Sequence, residues 1–278
     1  MVQSARAKQT PFVAASDRPA DLQRHNRWAY VVEHPQVFTV PLFFVVFVVG
    51  WEAIARVRQV PSYILPTPTQ IAAAFGTGYA VYWDQFQVTM AEIVAGFVIG
   101  AAGGLVLGAL LAQSRILEAT FYPYLVALKA VPLQALAPLF IIWFGFGLAS
   151  KIALTALIVF FPVMVNTMMG MKAAAPQKIA ILRSVGASEW QILRMVRIPN
   201  ALPDVFTGLE ISIIYAPIGA VVGEFVGAQK GLGKQVLQQQ AQLETAGVFA
   251  ATAILAAIGI ILYLLMRVAR RRVVFWAA

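Results

Sequence analysis

The sequence predicts an all-α integral membrane protein with about six transmembrane helices. Three observations predict it. Hydrophobic residues make up 60% of the 278-residue chain and charged residues 12%, against about 45–50% and about 25% in soluble domains. The mean hydropathy is +0.76, which means more apolar surface than one soluble core of this length can hide. The apolar residues also gather into runs near the roughly 20 residues a helix needs to cross a bilayer. In lipid such runs must be helical, because the backbone has no other hydrogen-bond partners.

Residues 1–36 come first and are polar and basic. "RPADLQRHNRWAYVVEH" (18–34), opened by Pro19 and Asp21, has the apolar spacing of an interfacial helix. His25 and His34 read as solvated, and the signal-peptide order of charge, apolar run and small-residue site is missing. The apolar runs then cover roughly 37–55, 88–112, 121–146, 150–170, 204–226 and 247–267. In the second, Gly96, Gly100, Gly104 and Gly108 recur every four residues, giving one helix face on which another backbone can approach closely. Pro132 and Pro138 break the third run, which is one span or two shorter pieces, with "WFGFG" (143–147) turning into the fourth.

Lys and Arg choose the orientation. With six spans and a cytoplasmic N-terminus, fifteen of the 21 Lys and Arg residues fall on the cytoplasmic side. Arg56, Arg58, Lys151, Lys230 and Lys234 fall outside, and Lys129 lies within a span. Both termini are expected inside. The basic excess is topological and does not form a nucleic-acid stripe. No cysteine occurs, so disulfides, thiolate chemistry and cysteine metal sites are excluded. "GAQKGLGKQ" (227–235) fails as a phosphate loop: five residues separate Gly227 from Gly233, and Gln235 stands where a Ser or Thr is needed. It reads as an external glycine-rich turn, so any ATP-derived energy must come from a partner.

The longest cytoplasmic loop, "LRSVGASEWQILRMVRIP" (182–199) at its centre, is polar and helix-like. Ile179, Leu182, Val185, Ile192, Leu193 and Val196 recur at helical spacings, while Arg183, Glu189, Arg194 and Arg197 point elsewhere. Gly186 divides two short helices, Ser188 can cap the second with Glu189 in its first turn, and Pro199 and Pro203 end the segment. Helices this short need a partner surface. On spacing alone that surface is either the membrane face or another protein.

Gly186, nine residues, then Val196-Arg197-Ile198-Pro199 resembles the "EAA" loop of permease subunits of ABC importers. The glutamate and alanines that name the loop are replaced here by Ala180, Ile181 and Leu182. "YILPTPTQI" (63–71), "KAVPLQALAPLFIIWFGFG" (129–147), "FFPVMVNTMMG" (160–170) and "GEFVGAQKGLG" (223–233) resemble the nitrate/sulfonate/taurine-type branch. The resemblance implies a type I importer transmembrane domain. Residues 1–36 are then a cytoplasmic or interfacial segment, 37–87 a first helix and external loop, 88–267 the core permease domain with its coupling loop at 171–203, and 268–278 a basic tail. It implies that Arg183, Gly186, Ala187, Ser188, Glu189, Trp190 and Pro199 meet an ATPase. It also implies a second permease copy, two ATPase subunits that bind the ATP and Mg²⁺, an external binding protein, and a bacterial inner membrane.

Ionisable residues in spans are expensive and tend to face a cavity or each other. Glu92 and Glu224 sit near the outer face. Lys129 and Glu210 lie about two turns from the inner face and can pair with each other or separately. The proline-broken third to fifth spans are the expected pathway, with Lys129, Gln134, Asn166, Glu210, Tyr215 and Glu224 as its candidate residues; each is open to a packing role instead. By the resemblance the solute is a small anion such as a sulfonate, taurine or nitrate, or a heterocycle such as a thiamine-precursor pyrimidine. Lys129 favours an anion; Glu92 and Glu224 do not. A stand-alone secondary transporter or channel is the rival reading. It needs internal repeats, which the two halves do not display, and leaves the cytoplasmic loop without a task.

Overall fold

The computed structural model describes residues 36–277. The expected interfacial helix over 18–34, with His25 and His34, lies outside the described residues. The chain divides into two compact units, residues 1–54 and 55–278. Of the first, helix α1 (Gln36–Val57) is described. It is apolar from Val40 to Trp51, with Glu52 and Arg56 near its end, and Gln59, in the left-handed region (φ 49°), closes that end as Val60 N–H donates to the Ala55 carbonyl.

The regular elements of the second unit are all helices among its described residues. It holds α2 (Pro68–Thr77), α3 (Tyr79–Gln113), α4 (Arg115–Lys129), α5 (Leu133–Phe144), α6 (Leu148–Lys172), α7 (Pro176–Ser184), α8 (Glu189–Ile192), α9 (Ile198–Gly227), α10 (Leu232–Ala241) and α11 (Thr245–Val273). Among the described residues, five helices are long and apolar enough to cross a membrane: those over 38–57, 79–113, 148–172, 189–227 and 245–273.

The third predicted run is not one helix. Pro132 denies the α conformation to the residue before it and begins α5, leaving pieces of 15 and 12 residues. Neither reaches the length of a span alone. Together they lead from Ser114, beside the end of α3, to Gly145, beside the start of α6, so two helices make one passage. α3 begins nine residues earlier than the apolar run does, because the aromatic and polar turn Tyr79–Gln87 continues its helix. α11 runs on to Val273, so Arg270, expected in a tail, lies in a helix.

α6 is the centre of the bundle, with α3 on one side and α9 on the other. The glycine stripe of α3 lies against it. A Cβ at Gly96 would meet Thr155, and one at Gly104 would stand 2.7 Å from the Phe160 carbonyl oxygen. Gly96 beside Thr155 and Gly108 beside Thr167 show that α3 and α6 run parallel. α9 runs the other way: Gly208 faces Pro162 and Asn166, Gly219 faces Thr155, and Gly223 faces Lys151. Ser212 Oγ donates to the Val159 carbonyl at 3.1 Å, stitching α9 to α6. The expected close packing is thus made by small residues on both neighbours of α6.

Candidate functional site

At one end of the bundle, α7 and α8 form a projection with a hydrogen-bonded turn between them. α7 stops in a Schellman turn: Gly186 N–H donates to Arg183 O and Ala187 N–H to Leu182 O, both at 3.0 Å. This turn puts Gly186 at φ +80°, which only glycine adopts without strain. Ser188 then starts α8 with a capping box. Its Oγ accepts from Gln191 N–H at 3.3 Å, and Gln191 Oε1 accepts from Ser188 N–H at 2.7 Å. Across the turn Arg183 donates to Glu189 Oε1 from Nε (3.1 Å) and from a terminal nitrogen (2.7 Å). Both side chains are exposed, so the pair adds little stability, and the course of the chain between the two helices is set by the Schellman turn and the capping box.

The segment does not end at Pro199. A π-helical turn, Leu193–Arg197, joins α8 to α9, so the helix is continuous from Glu189 to Gly227. Ile198 N–H reaches back five residues to Leu193 O. The widened turn accommodates Pro199, whose missing N–H and bulky ring would disturb an α-helical turn. Of the predicted apolar face, only Ile192 and Leu193 are buried. Val185 (74% exposed), Trp190 (66%), Ile181 and Met195 instead form apolar surface on the projection itself.

At the opposite end lies a buried polar cluster that the sequence reading did not assemble. Glu224 is 1% exposed; it accepts from Thr89 Oγ1 at 2.6 Å and from Gly233 N–H at 2.5 Å. Thr89 accepts in turn from Leu232 N–H (2.8 Å), and Gln85 accepts from Gly231 N–H (2.6 Å). The glycine turn at 227–233 therefore clasps the carboxylate, and a Cβ at Gly231 (φ +125°) would strike it. Glu92 is equally buried and within electrostatic reach of both Glu224 and Lys151.

Lys151, expected in an outer segment, is 2% exposed. Its ammonium donates to the carbonyls of Phe146 (2.5 Å), Gly147 (3.0 Å) and Gly227 (3.1 Å). It thereby ties the end of α9 to the turn between α5 and α6. The available signal was its place just after "WFGFG", a turn whose carbonyls lack helical partners.

The predicted pathway residues divide. Asn166 and Tyr215 line one cleft of about 400 Å³ between α6, α9 and the α4–α5 break. Gln134 is exposed on α5 and does not line that cleft. Glu224 is taken up by the clasp. Glu210 Oε2 accepts from an Arg270 terminal nitrogen at 2.9 Å, so the cation it meets is on α11. The expected Lys129–Glu210 pair cannot be followed further, because the Lys129 side chain lies outside the described residues.

The described residues form a multi-pass helical bundle with a polar projection at one end. Residues 104–275 match the family of binding-protein-dependent transport system inner membrane components, and the chain belongs to it: it is an ABC importer permease. A formylaminopyrimidine transport permease of Halalkalibacterium halodurans is 37% identical over 81% of this chain and 90% of its own. A riboflavin transport system permease of Chloroflexus aurantiacus is 35% identical over 96% and 98%. A putative aliphatic sulfonates transport permease of Bacillus subtilis is 32% identical over 83% and 84%. Among solved structures, an amino acid ABC transporter has the same fold, with a TM-score of 0.58 at 20% identity over 72% of this chain and 98% of that one.

Proposed function

We propose that residues 176–197 are the coupling element of this permease, and that they dock on an ATPase subunit which binds ATP and Mg²⁺. The observation that carries this is the projection's build: apolar Val185, Trp190 and Met195 exposed on a segment whose course is set by a Schellman turn and a capping box. Apolar surface on a segment turned in this way suits a cleft on another protein. A lipid-facing amphipathic helix needs no such turn between its halves.

The α7–α8 end is cytoplasmic in this reading. It carries Lys178, Arg183, Arg194 and Arg197 with Arg115, Lys172 and Arg270–272, whereas the other end keeps few basic residues, of which Lys151 is buried. Both termini then face the cytoplasm across a bacterial inner membrane. A second copy of the chain completes the pathway, two ATPase subunits drive it, and an external binding protein delivers a small solute. A relative named for a heterocycle is 37% identical and one named for sulfonates 32%, so similarity alone leaves the solute class open.

The test is purification of the tagged chain in mild detergent from its host, with and without Trp190→Glu. An ATPase subunit should accompany the wild type and be lost with the variant. Retention by the variant, or absence from the wild type, refutes the coupling assignment.

A further inference from the structure

At the α7–α8 end a cleft of about 640 Å³ opens between the end of α3, the start of α4, the end of α6 and the projection. Its charged lining is Arg115, Glu118, Lys172 and Arg197. Lys172 donates to Glu118 Oε2, so those two charges cancel. Arg115 and Arg197 form no ion pair among the described residues. The cleft therefore keeps a net positive charge, carried by two guanidinium groups on different elements. The planar fork of arginine suits a phosphate, which it can hold by two parallel N–H···O bonds.

The surroundings of these charges decide which phosphate fits. Gln113 ends α3 and Lys172 ends α6, and both helices are long and apolar enough to cross a membrane. The cleft thus lies at the depth of the headgroups. Much of its remaining lining is apolar, with Ala112, Ala119, Pro123 and Met171. Toward the middle of the bilayer, Val106 and Leu110 continue the α3 face of Gln113, and Val126 continues the α4 face of Tyr122. All three are exposed. Positive charge at the mouth and apolar walls running inward match a molecule with an anionic head and long apolar tails. A free phosphate compound would leave those walls bare. An acidic protein surface would stop at the membrane boundary.

We propose that this cleft is a site for an anionic phospholipid: Arg115 and Arg197 hold the headgroup phosphate, and an acyl chain lies along Val106, Leu110 and Val126. Basic pockets between spanning helices at the cytoplasmic side suit such headgroups. The bound lipid links α4 to the π-helical turn that carries Arg197, and so ties the broken third passage to the projection. The site lies at the ends of the spans whichever partner the projection meets.

The test is native mass spectrometry of the full chain in mild neutral detergent, titrated with phosphatidylglycerol, phosphatidylcholine or free glycerol phosphate. The first phosphatidylglycerol should bind tighter than phosphatidylcholine, and an equal concentration of glycerol phosphate should not displace it. One basic residue near anionic lipid contributes about 1 kcal/mol, so Arg115→Gln should weaken the first phosphatidylglycerol about five-fold and Arg115→Gln with Arg197→Gln about 25-fold. Arg271→Gln with Arg272→Gln removes the same charge from exposed positions on α11 outside the cleft lining and should leave that affinity unchanged. Glu118→Gln removes the one carboxylate of the lining and should tighten binding, a gain that misfolding cannot produce.

Equal affinity for phosphatidylcholine, displacement by glycerol phosphate, equal losses from the α11 pair and the cleft pair, or no gain from Glu118→Gln overturns the proposal. Arg115→Gln is also purified from its host alongside the wild type. The ATPase should stay with it, since Arg115 lies outside residues 176–197; its loss would assign the cleft to that partner and likewise overturn the lipid site. Absence of the ATPase from the wild type would defeat the coupling reading and leave the lipid titration to stand or fall by itself.

Discussion

Replacing Gly100 with alanine tests the packing that organises the bundle, with Gly103→Ala as its matched control. Both glycines lie in α3, three residues apart, and both changes gain the same helix propensity, up to about 1 kcal/mol. Only Gly100 faces the α6 backbone. Its added Cβ would stand 2.9 Å from the Val159 Cβ and 3.0 Å from the Ala156 carbonyl carbon, with the Ala156 oxygen closer still. Carbon atoms rest comfortably at about 3.5–4.0 Å, so α3 and α6 must part by roughly 0.5–1 Å. Backbone cannot rotate aside, and the separation weakens contacts along the whole parallel pair. Overpacking of this kind costs about 1–3 kcal/mol. At Gly103 the nearest atom is a Phe160 ring carbon at 3.4 Å, an ordinary contact. The propensity gain cancels in the comparison, leaving the overpacking cost as the difference. At about 2–4 °C per kcal/mol for a domain of this size, Gly100→Ala should melt on the order of 5 °C below Gly103→Ala in thermal denaturation of the detergent-purified protein. Equal melting temperatures, or a more stable Gly100→Ala, would show that the α3–α6 contact is not the close backbone approach described above.

Three further outcomes follow from the polar contacts. Lys151→Met strips the shared donor from three carbonyls and leaves Glu92 and Glu224 without a neighbouring cation; an unmet buried group costs about 1–3 kcal/mol, so the variant should lose several kcal/mol and little of it should reach the membrane, which immunoblotting of membrane fractions measures. Ser188→Ala removes the α8 cap and should weaken that helix by about 1 kcal/mol, while Gly186→Val strains the Schellman turn; the first should reduce and the second abolish solute-stimulated ATP hydrolysis in reconstituted vesicles, and equal effects would count against the turn as the pivot. Arg270→Glu or Glu210→Arg alone should lower the melting temperature, and the two together should recover at least about 1 kcal/mol of coupling; additive losses would mean that Glu210 answers to another cation, Lys129 first among them.

Much of the projection was legible in the sequence because its chemistry is local. Gly186 and Ser188 act through backbone groups within five residues of themselves, so a turn and a cap can be recognised from order alone. Pro132 likewise breaks its run wherever the run lies. The continuation through Pro199 was not legible, since a proline marks a helix boundary in either geometry and only the π-helical turn spares it.

What the sequence by itself determined is therefore the membrane class, the approximate runs, the glycine face of α3 and the turn between α7 and α8. The tertiary structure decided which polar groups meet. Lys151 finds Gly227, 76 residues away, Glu224 finds Thr89, 135 residues away, and Glu210 finds Arg270 rather than any residue near it in sequence. Helices such as α9, apolar almost all round, carry no stripe that says which face turns inward. Each residue turns the side-chain direction by about 100°. A polar group's partner is then set by how the packed helices are rotated about their axes, and that rotation is fixed by small residues on neighbouring helices, not by the segment's own pattern.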